Sequence, residues 1–141
     1  MATNNHGHNP IGTFSDAADL PGSATTEYST AINIADLGGQ AEIAVYANSA
    51  ITIATGNLFN IEIEKSADGS TYVALFDDDS HVYLTHKTST DGELAILANA
   101  VIGRVGIAKD TMDGYDYIRL AYTVGADQSA GAVDALLIGN M

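Results

Sequence analysis

Strict alternation of apolar and polar residues is the feature that most restricts how this chain can fold. In Asn60-Ile61-Glu62-Ile63-Glu64, isoleucines alternate with polar and acidic residues. Because successive side chains of a β-strand point to opposite faces, this pattern predicts a strand with one buried face and one wet face. Similar short runs occur at residues 31–35, 42–46, 50–54, 71–76, 81–85, 93–97, 101–107, 116–124 and 131–138.

Turn signals separate these runs. Gly38-Gly39, Asp68-Gly69, Asp91-Gly92 and Asp113-Gly114 each follow or precede an alternating segment. Turns at this spacing predict an all-β protein, an antiparallel jelly-roll-like β-sandwich or barrel of about eight to ten short strands. Only residues 17–20 and 94–100 suggest a helical turn. The Ala-rich run 41–47 fits a strand least well, because Ala is depleted from sheets.

Length and terminal composition predict the domain organisation. A chain of 141 residues has the usual size of one domain. Residues 1–12 are rich in Asn, Gly and His, which predicts a flexible N-terminal arm before a single β-sandwich domain at residues 13–141. The N-terminal segment lacks the basic and apolar regions of a signal peptide, so we expect synthesis in a cytoplasm. No apolar run approaches the roughly 20 residues of a membrane-spanning helix.

The charge balance argues against two classes of partner. Eighteen acidic residues stand against five Lys and Arg, giving a formal net charge of −13. Nucleic-acid binding depends on basic side chains that neutralise phosphates, so we expect no DNA or RNA partner. Anionic membrane surfaces are disfavoured for the same reason. High net charge also limits uncontrolled self-association.

Several side chains are candidates for metal binding. Asp77-Asp78-Asp79 and the oxygen-rich segment from Asp110 to Asp116 contain carboxylates, but neither has the alternate-residue ligand spacing of a calcium loop. His6 and His8 lie in the predicted arm, and His81 and His86 have a spacing that separates them across a strand. With no cysteine in the chain, there is no thiolate ligand either. The sequence predicts no metal and no cofactor.

Motifs for catalysis are also missing from the sequence. It contains no Gly-x-Ser-x-Gly elbow, and Gly38-Gly39 lacks the Lys of a phosphate-binding loop. A pair of carboxylates that converge only in space stays open. We therefore expect a protein that is not an enzyme and that acts by binding other protein surfaces.

Tyrosines are the candidate contact residues, because Tyr offers a large ring with little entropy to lose. Tyr46 and Tyr122 are predicted to lie in or beside the core with hydrogen-bonded hydroxyls. Tyr117 lies on the opposite face of its strand from Ile118, where an interface role is slightly favoured over plain strand propensity. The tyrosines are Tyr28, Tyr46, Tyr72, Tyr83, Tyr115, Tyr117 and Tyr122.

Three segments, taken in order, resemble one known family. They are Phe14-Ser15-Asp16-Ala17 with the later strand ending in Asp36-Leu37-Gly38, residues 60–69 ending in Ser66-Ala67-Asp68-Gly69, and residues 117–125 with 129–135. Together they are similar to the Bbp16-type capsid cement (decoration) proteins of tailed bacteriophages, over about residues 13–138. The polar arm and the triple-Asp loop depart from that pattern, so no list of capsid contacts is carried over.

The resemblance implies a jelly-roll-like sandwich on the outer surface of an HK97-type head. There the protein would bridge neighbouring major capsid subunits and associate with itself, as a homodimer or alternatively a trimer. Two other readings stay open. A virion-associated carbohydrate- or receptor-binding module would need an exposed aromatic platform, and a small hydrolase would need a pocket of converging carboxylates. A sandwich fold is compatible with all three functions.

Overall fold

The alternating runs form β-strands in the computed structural model, which describes residues 10–20, 25–35, 40–53, 58–75, 86–87, 94–108, 114–124 and 131–140. These residues contain no helix, and so none able to cross a membrane. The strands are β1 (Pro10–Asp19), β2 (Thr25–Tyr28), β3 (Ile32–Asn33), β4 (Gln40–Ser49), β5 (Ile51–Ile53), β6 (Leu58–Ser66), β7 (Val73–Ala74), β8 (His86–Lys87), β9 (Leu94–Ile96), β10 (Val101–Ala108), β11 (Tyr117–Val124) and β12 (Ala132–Asn140).

The strands pair in the nested order of a rolled-up hairpin. The four-stranded sheet has the order β1-β12-β4-β10, and the six-stranded sheet has β2-β11-β6-β7 with β3 also on β11 and β8 also on β6. A small two-stranded sheet joins β5 to β9. The first strand therefore pairs with the last, β2 and β3 with β11, β4 with β10, and β6 with β7 and β8, all antiparallel. This is the two-sheet jelly roll, and the predicted fold class is confirmed.

The core lies between the two larger sheets. Ile61 and Ile63 of β6 are buried, as the alternation of this strand predicts. Ile118, Leu120, Tyr122 and Val124, the predicted inner face of β11, are buried too. Each buried side chain of this size contributes about 1.5–3 kcal/mol of transfer free energy.

The Ala-rich run forms the central strand β4. Ala41 and Ala47 belong to the core between the sheets, whereas Ala44 belongs to a second cluster with Tyr46 and Leu136. Because β4 has β12 on one side and β10 on the other, and is buried on both faces, small side chains fit it well. Close packing here outweighs the low strand propensity of Ala.

β1 is the main strand that the sequence pattern does not predict. Its pairing with β12 shifts register between Pro10 and Gly12, between Thr13 and Ser15, and between Ser15 and Ala18. Such bulges break the period of two. β1 begins at Pro10, so residues 10–12 of the predicted arm lie in a strand, while residues 1–9 lie outside the described residues.

The predicted helical turns are wrong. Residues 17–19 belong to β1, where Ala17 has a positive φ of 53°. Residues 94–96 form β9, and a turn with Asn99 at φ 68° follows it. Both segments have helix-compatible composition, but strand pairing decides their structure. Of the predicted strand 71–76, residues 71–75 are described, and among these Val73–Ala74 form a strand. The predicted strand 81–85 lies outside the described residues.

Candidate interaction surface

Arg119 lies at the centre of the outer face of the six-stranded sheet. Its neighbours Ile118 and Leu120 point into the core, so the alternation of β11 directs Arg119 outward. Arg119 is opposite Glu64 of β6 in the strand register. The Nε of Arg119 donates a hydrogen bond of 2.8 Å to Oε1 of Glu64. This charge-assisted pair fixes the guanidinium plane.

Two tyrosine rings enclose the Arg119 guanidinium. The Cζ atom of Arg119 lies 3.8 Å from the ring centroid of Tyr28 and 3.8 Å from the ring centroid of Tyr72. A planar, weakly hydrated guanidinium is well suited to such contacts on both of its faces. We call the three side chains the aromatic stack. It joins β2, β11 and the residue before β7 across the sheet.

Hydrogen bonds next to the stack hold β2 against β11. The amide of Ser29 donates to the carbonyl of Leu120 at 2.9 Å, and the amide of Leu120 donates to Oγ of Ser29 at 2.8 Å. The hydroxyls of Thr26 and Thr123 share a hydrogen bond of 2.8 Å. Tyr28 therefore lies between two anchored positions, Thr26 and Ser29, which hold its backbone against β11.

The turn at residues 66–71 positions the other end of the stack. Oγ of Ser66 accepts hydrogen bonds from the amides of Asp68 and Gly69, and Oδ1 of Asp68 accepts from the amides of Ser70 and Thr71. These donors, Thr71 first, lower the pKa of the Asp68 carboxyl. The predicted Asp-Gly turn is confirmed, and it leads directly to Tyr72.

Tyr117 packs on that turn. Gly69 has φ +79°, and a Cβ there would lie 3.4 Å from Cζ of the Tyr117 ring. The half-buried Tyr117 therefore covers the glycine of the turn, and its predicted interface role stays a prediction. Tyr122 is confirmed as a core residue with a hydrogen-bonded hydroxyl, which lies 2.7 Å from Oγ of Ser15.

Exposure distinguishes the two sheet faces. Tyr28 is 53% exposed, although its ring also contacts Arg119. On the outer face of the four-stranded sheet, Tyr46 is only 5% exposed and Leu136 is fully buried. Tyr46 is therefore buried, as predicted, although Val101, its partner in the register of β10 with β4, is 52% exposed. Available aromatic surface is therefore found on the six-stranded sheet.

All three basic side chains that the structure describes have partners of their own. Arg119 bonds Glu64, Arg104 forms an ion pair with Glu42, and Nζ of Lys65 lies 4.3 Å from the ring centroid of Tyr115. Acidic residues outnumber these basic side chains in the described part of the chain, in line with the formal net charge of −13 for the whole sequence.

The candidate metal ligands lie largely outside the described residues. Asp77-Asp78-Asp79, Asp110, His6, His8 and His81 all belong to that part, and His86 is described only as the backbone partner of Phe59. Asp116 is described and half-buried. Within the described ranges, no group of three or more His, Cys, Asp or Glu is arranged to hold a metal ion.

Comparison with known proteins adds no relative: the sequence matches no protein-family model and no curated protein. What the structure defines is a class, an acidic jelly-roll β-sandwich with an ordered tyrosine–arginine stack on one sheet face. Sequence reasoning named the tyrosines but not the stack. One sequence signal pointed toward the stack: Arg119 and Glu64 both occupy outward positions of alternating strands.

Proposed function

We propose that this protein is a structural virion protein, a capsid cement or decoration protein of a tailed bacteriophage. It binds the outer surface of an HK97-type head and clamps neighbouring major capsid subunits against the pressure of packaged DNA. The observation that carries the proposal is the aromatic stack. Together with Trp, Tyr and Arg are the residue types most enriched among interface hot spots, and here they are held in place on a sheet face.

The fold supports this function. A jelly roll has two broad sheet faces, and the architecture recurs in viral capsid domains. The nested pairing joins the first and the last strand within the sandwich, since β1 and β12 are neighbours in the four-stranded sheet. A clamp needs this stiffness, because it resists expansion only if its own structure does not yield.

The charge supports an exterior position. With a net charge of −13, the protein has no electrostatic attraction to packaged DNA. Its affinity is directed instead to protein surfaces on the outside of the shell. High negative charge also keeps many copies soluble before they bind.

Repetition supplies the binding strength. A head presents the same seam many times, and a homodimer, or alternatively a trimer, engages several subunits at once. Linked contacts convert later binding events into intramolecular ones, so modest contacts together give high avidity. The contacts would be lost if the subunits moved apart, and this opposes expansion of the shell.

The test mixes purified protein with expanded heads that lack it. We expect saturable binding at a fixed ratio to the major capsid subunit, together with greater survival of the heads under heat and osmotic shock. Binding without any gain in survival would exclude the clamping role. Bovine serum albumin at equal concentration serves as the control for non-specific protection.

One observation favours a second candidate, a virion-associated carbohydrate- or receptor-binding module. The half-exposed ring of Tyr28 provides an aromatic surface on which a sugar could stack. A glycan array tests this directly. Specific glycan binding that is lost in Tyr28→Ala, with no binding to heads, would support the second candidate over the first.

A further inference from the structure

We infer that two copies of this chain associate edge to edge through β10, so that their four-stranded sheets join into one continuous sheet across a twofold axis. The contact segment is residues 103–107 of β10, which we call the β10 edge. This inference rests on the proposed function in one respect, because it names the interface of the homodimer with which a decoration protein would bridge capsid subunits.

β10 is the last strand of the four-stranded sheet in the described part of the chain. β4 pairs with one side of it, and no described strand pairs with the other side. Gly106 of β10 is exposed. Because glycine has no side chain, this exposure belongs to the main chain, whose amide and carbonyl groups are what an added strand pairs with.

The other edges of the two larger sheets have features that discourage an added strand. β1 pairs with β12 through three register shifts and contains two acidic residues. β2 is four residues long and contains Glu27, and β7 and β8 have two residues each. Bulges, charges and short length are the usual protections of an edge strand. β10 has a register shift between Val101 and Gly103, but its pairing with β4 is regular from Gly103 to Ala108.

The charge of the chain also favours this edge for self-association. With a formal net charge of −13, two copies repel each other in most orientations. β10 contains no acidic residue, and its one charged side chain, Arg104, forms an ion pair with Glu42 of the same chain. Two copies that approach along β10 therefore meet where the strand adds no negative charge.

The order of side chains along β10 is self-complementary. In an antiparallel pair centred on Val105, this residue faces its own copy, and Arg104 lies opposite Gly106 of the second copy. Gly103 lies opposite Ile107 in the same pair, so the large side chains of positions 104 and 107 each face a glycine. A pair centred on Arg104 would place two guanidinium groups directly opposite each other, which is destabilising. A pair centred on Gly106 would leave two glycines facing each other.

This pairing defines the geometry of the assembly. A twofold axis perpendicular to the sheet keeps the buried faces of both copies on the same side. Val105 is half-buried and packs against the core, so the two Val105 side chains would connect the cores of the two copies. The contact is isologous and closes as a dimer, which favours the homodimer over the trimer. Because only sheet edges meet, the aromatic stack stays uncovered in both copies.

The first experiment measures the mass of the purified protein by sedimentation equilibrium. A Cβ at Gly106 would have the carbonyl oxygen of Ala41 at 4.0 Å as its nearest neighbour, so the folded chain has room for a side chain there. In the dimer, Gly106→Lys would place a cation opposite Arg104 of the second copy. Ala31→Lys adds the same charge at an exposed position between β2 and β3 of the other sheet and is the control.

We expect the wild-type protein to have the mass of two chains. Gly106→Lys should raise the dissociation constant of the dimer at least about tenfold, because like charges are placed opposite each other in an interface. Ala31→Lys should stay within about twofold of wild type. A wild-type protein with the mass of one chain, at concentrations far above those that saturate heads, would overturn the inference. Equal effects of the two variants would overturn it too.

The second experiment tests the position of the twofold axis. The chain has no cysteine, so one introduced thiol can crosslink two copies without competing reactions. Directly opposite Cα atoms of antiparallel strands are about 4.5–5.5 Å apart, within the range of a disulfide. Val105→Cys should therefore form a crosslinked dimer on mild oxidation. Val73→Cys, on the 46% exposed residue of β7, is the control and should stay largely uncrosslinked. Equal crosslinking of both variants, or none in Val105→Cys, would overturn the β10 edge.

Binding to expanded heads separates this inference from the proposed function. A wild-type protein that is dimeric and crosslinks through Val105→Cys, but does not bind heads, would support the β10 edge and overturn the proposed function. A wild-type protein that is a monomer in solution, with head binding lost in Gly106→Lys but kept in Ala31→Lys, would assign the β10 edge to a strand of the capsid protein. That result would overturn the second copy as the partner and leave the proposed function standing.

Discussion

The backbone amide of Ala17 donates a hydrogen bond of 2.7 Å to Oδ1 of Asp134, across the pairing of β1 with β12. Asp134 is fully buried and also accepts from Nδ2 of Asn48 on β4. One carboxylate thus connects three adjacent strands. It fixes the bulge of β1 at the point where Ala17 takes a left-handed conformation, φ 53°.

This bulge gives a physical role to most of the segment Phe14-Ser15-Asp16-Ala17. Phe14 is a core residue, Ser15 bonds the Tyr122 hydroxyl, and Ala17 bonds Asp134. The bulge lets consecutive residues reach partners in different layers. The segment therefore attaches β1 both to its own sheet and to the sheet opposite.

Replacing Ala17 with glycine should stabilise the protein. A left-handed alanine carries strain of about 1 kcal/mol that glycine does not, although glycine loses more entropy on folding. We expect Ala17→Gly to raise the free energy of unfolding by up to about 1 kcal/mol, measured by urea denaturation. Ala18→Gly is the control, since Ala18 lacks a positive φ. This variant should have a free energy of unfolding about 1 kcal/mol lower than wild type. Equal losses in both variants would contradict the role of backbone strain.

Removing the Asp134 carboxylate should be strongly destabilising. Asp134→Ala leaves the Ala17 amide and the Asn48 side chain without this acceptor at a partly buried place. We expect the free energy of unfolding to fall by about 3 kcal/mol or more, because hydrogen bonds to the carboxylate are lost and their donors are left unsatisfied. Asp134→Asn keeps one acceptor oxygen and should lose less. A loss below about 1 kcal/mol in Asp134→Ala would show that water replaces the carboxylate.

The Ser15–Tyr122 hydrogen bond should show coupling between the two sheets. Tyr122→Phe and Ser15→Ala should each lower the free energy of unfolding by about 1–2 kcal/mol. Each substitution removes one hydroxyl of the pair and leaves the other buried hydroxyl without its partner. The double variant should lose less than the sum of the two. A double-mutant cycle in urea checks this, and strict additivity would contradict a direct interaction.

Burial of Tyr122 also makes stability depend on alkaline pH. Desolvation raises the pKa of the Tyr122 hydroxyl above its ordinary value of 10.0. The native state then holds a proton that the unfolded chain releases, so the contribution is full below pH 10 and is lost as the pH rises further. We expect wild-type stability to fall more steeply between pH 9 and about 11 than that of Tyr122→Phe. Parallel profiles of stability against pH for the two proteins would contradict this role of the Tyr122 hydroxyl.

Asp68 gives the opposite pH dependence. Its pKa is lowered from the ordinary value of 3.8, chiefly by the amides of Thr71 and Ser70. Its contribution is therefore present above pH 3.8 and is lost as the pH falls through the lower folded pKa. Asp68→Asn should be less stable than wild type at pH 7, and the difference should shrink at about pH 2. Thermal unfolding at both pH values measures it, and a constant difference would contradict the assigned cause.

The alternation of apolar and polar residues predicted much of the fold, because it is regular in β6 and β11 and each of these strands has one face in the core. The alternation did not predict β1, because the bulges of this strand interrupt the period of two. The order of the strands depends on pairs far apart in sequence, which alternation does not encode. The aromatic stack was missed for the same reason: Tyr28 and Tyr72 meet at Arg119 only after β2, β11 and β7 are assembled.

The most direct test of the proposed function is a three-dimensional reconstruction, by electron cryomicroscopy, of expanded phage heads saturated with this protein and compared with the same heads without it. The account predicts added density on the outer surface, bridging neighbouring major capsid subunits, with the six-stranded sheet toward the shell. Heads without added density, or with density only inside the shell, would contradict it.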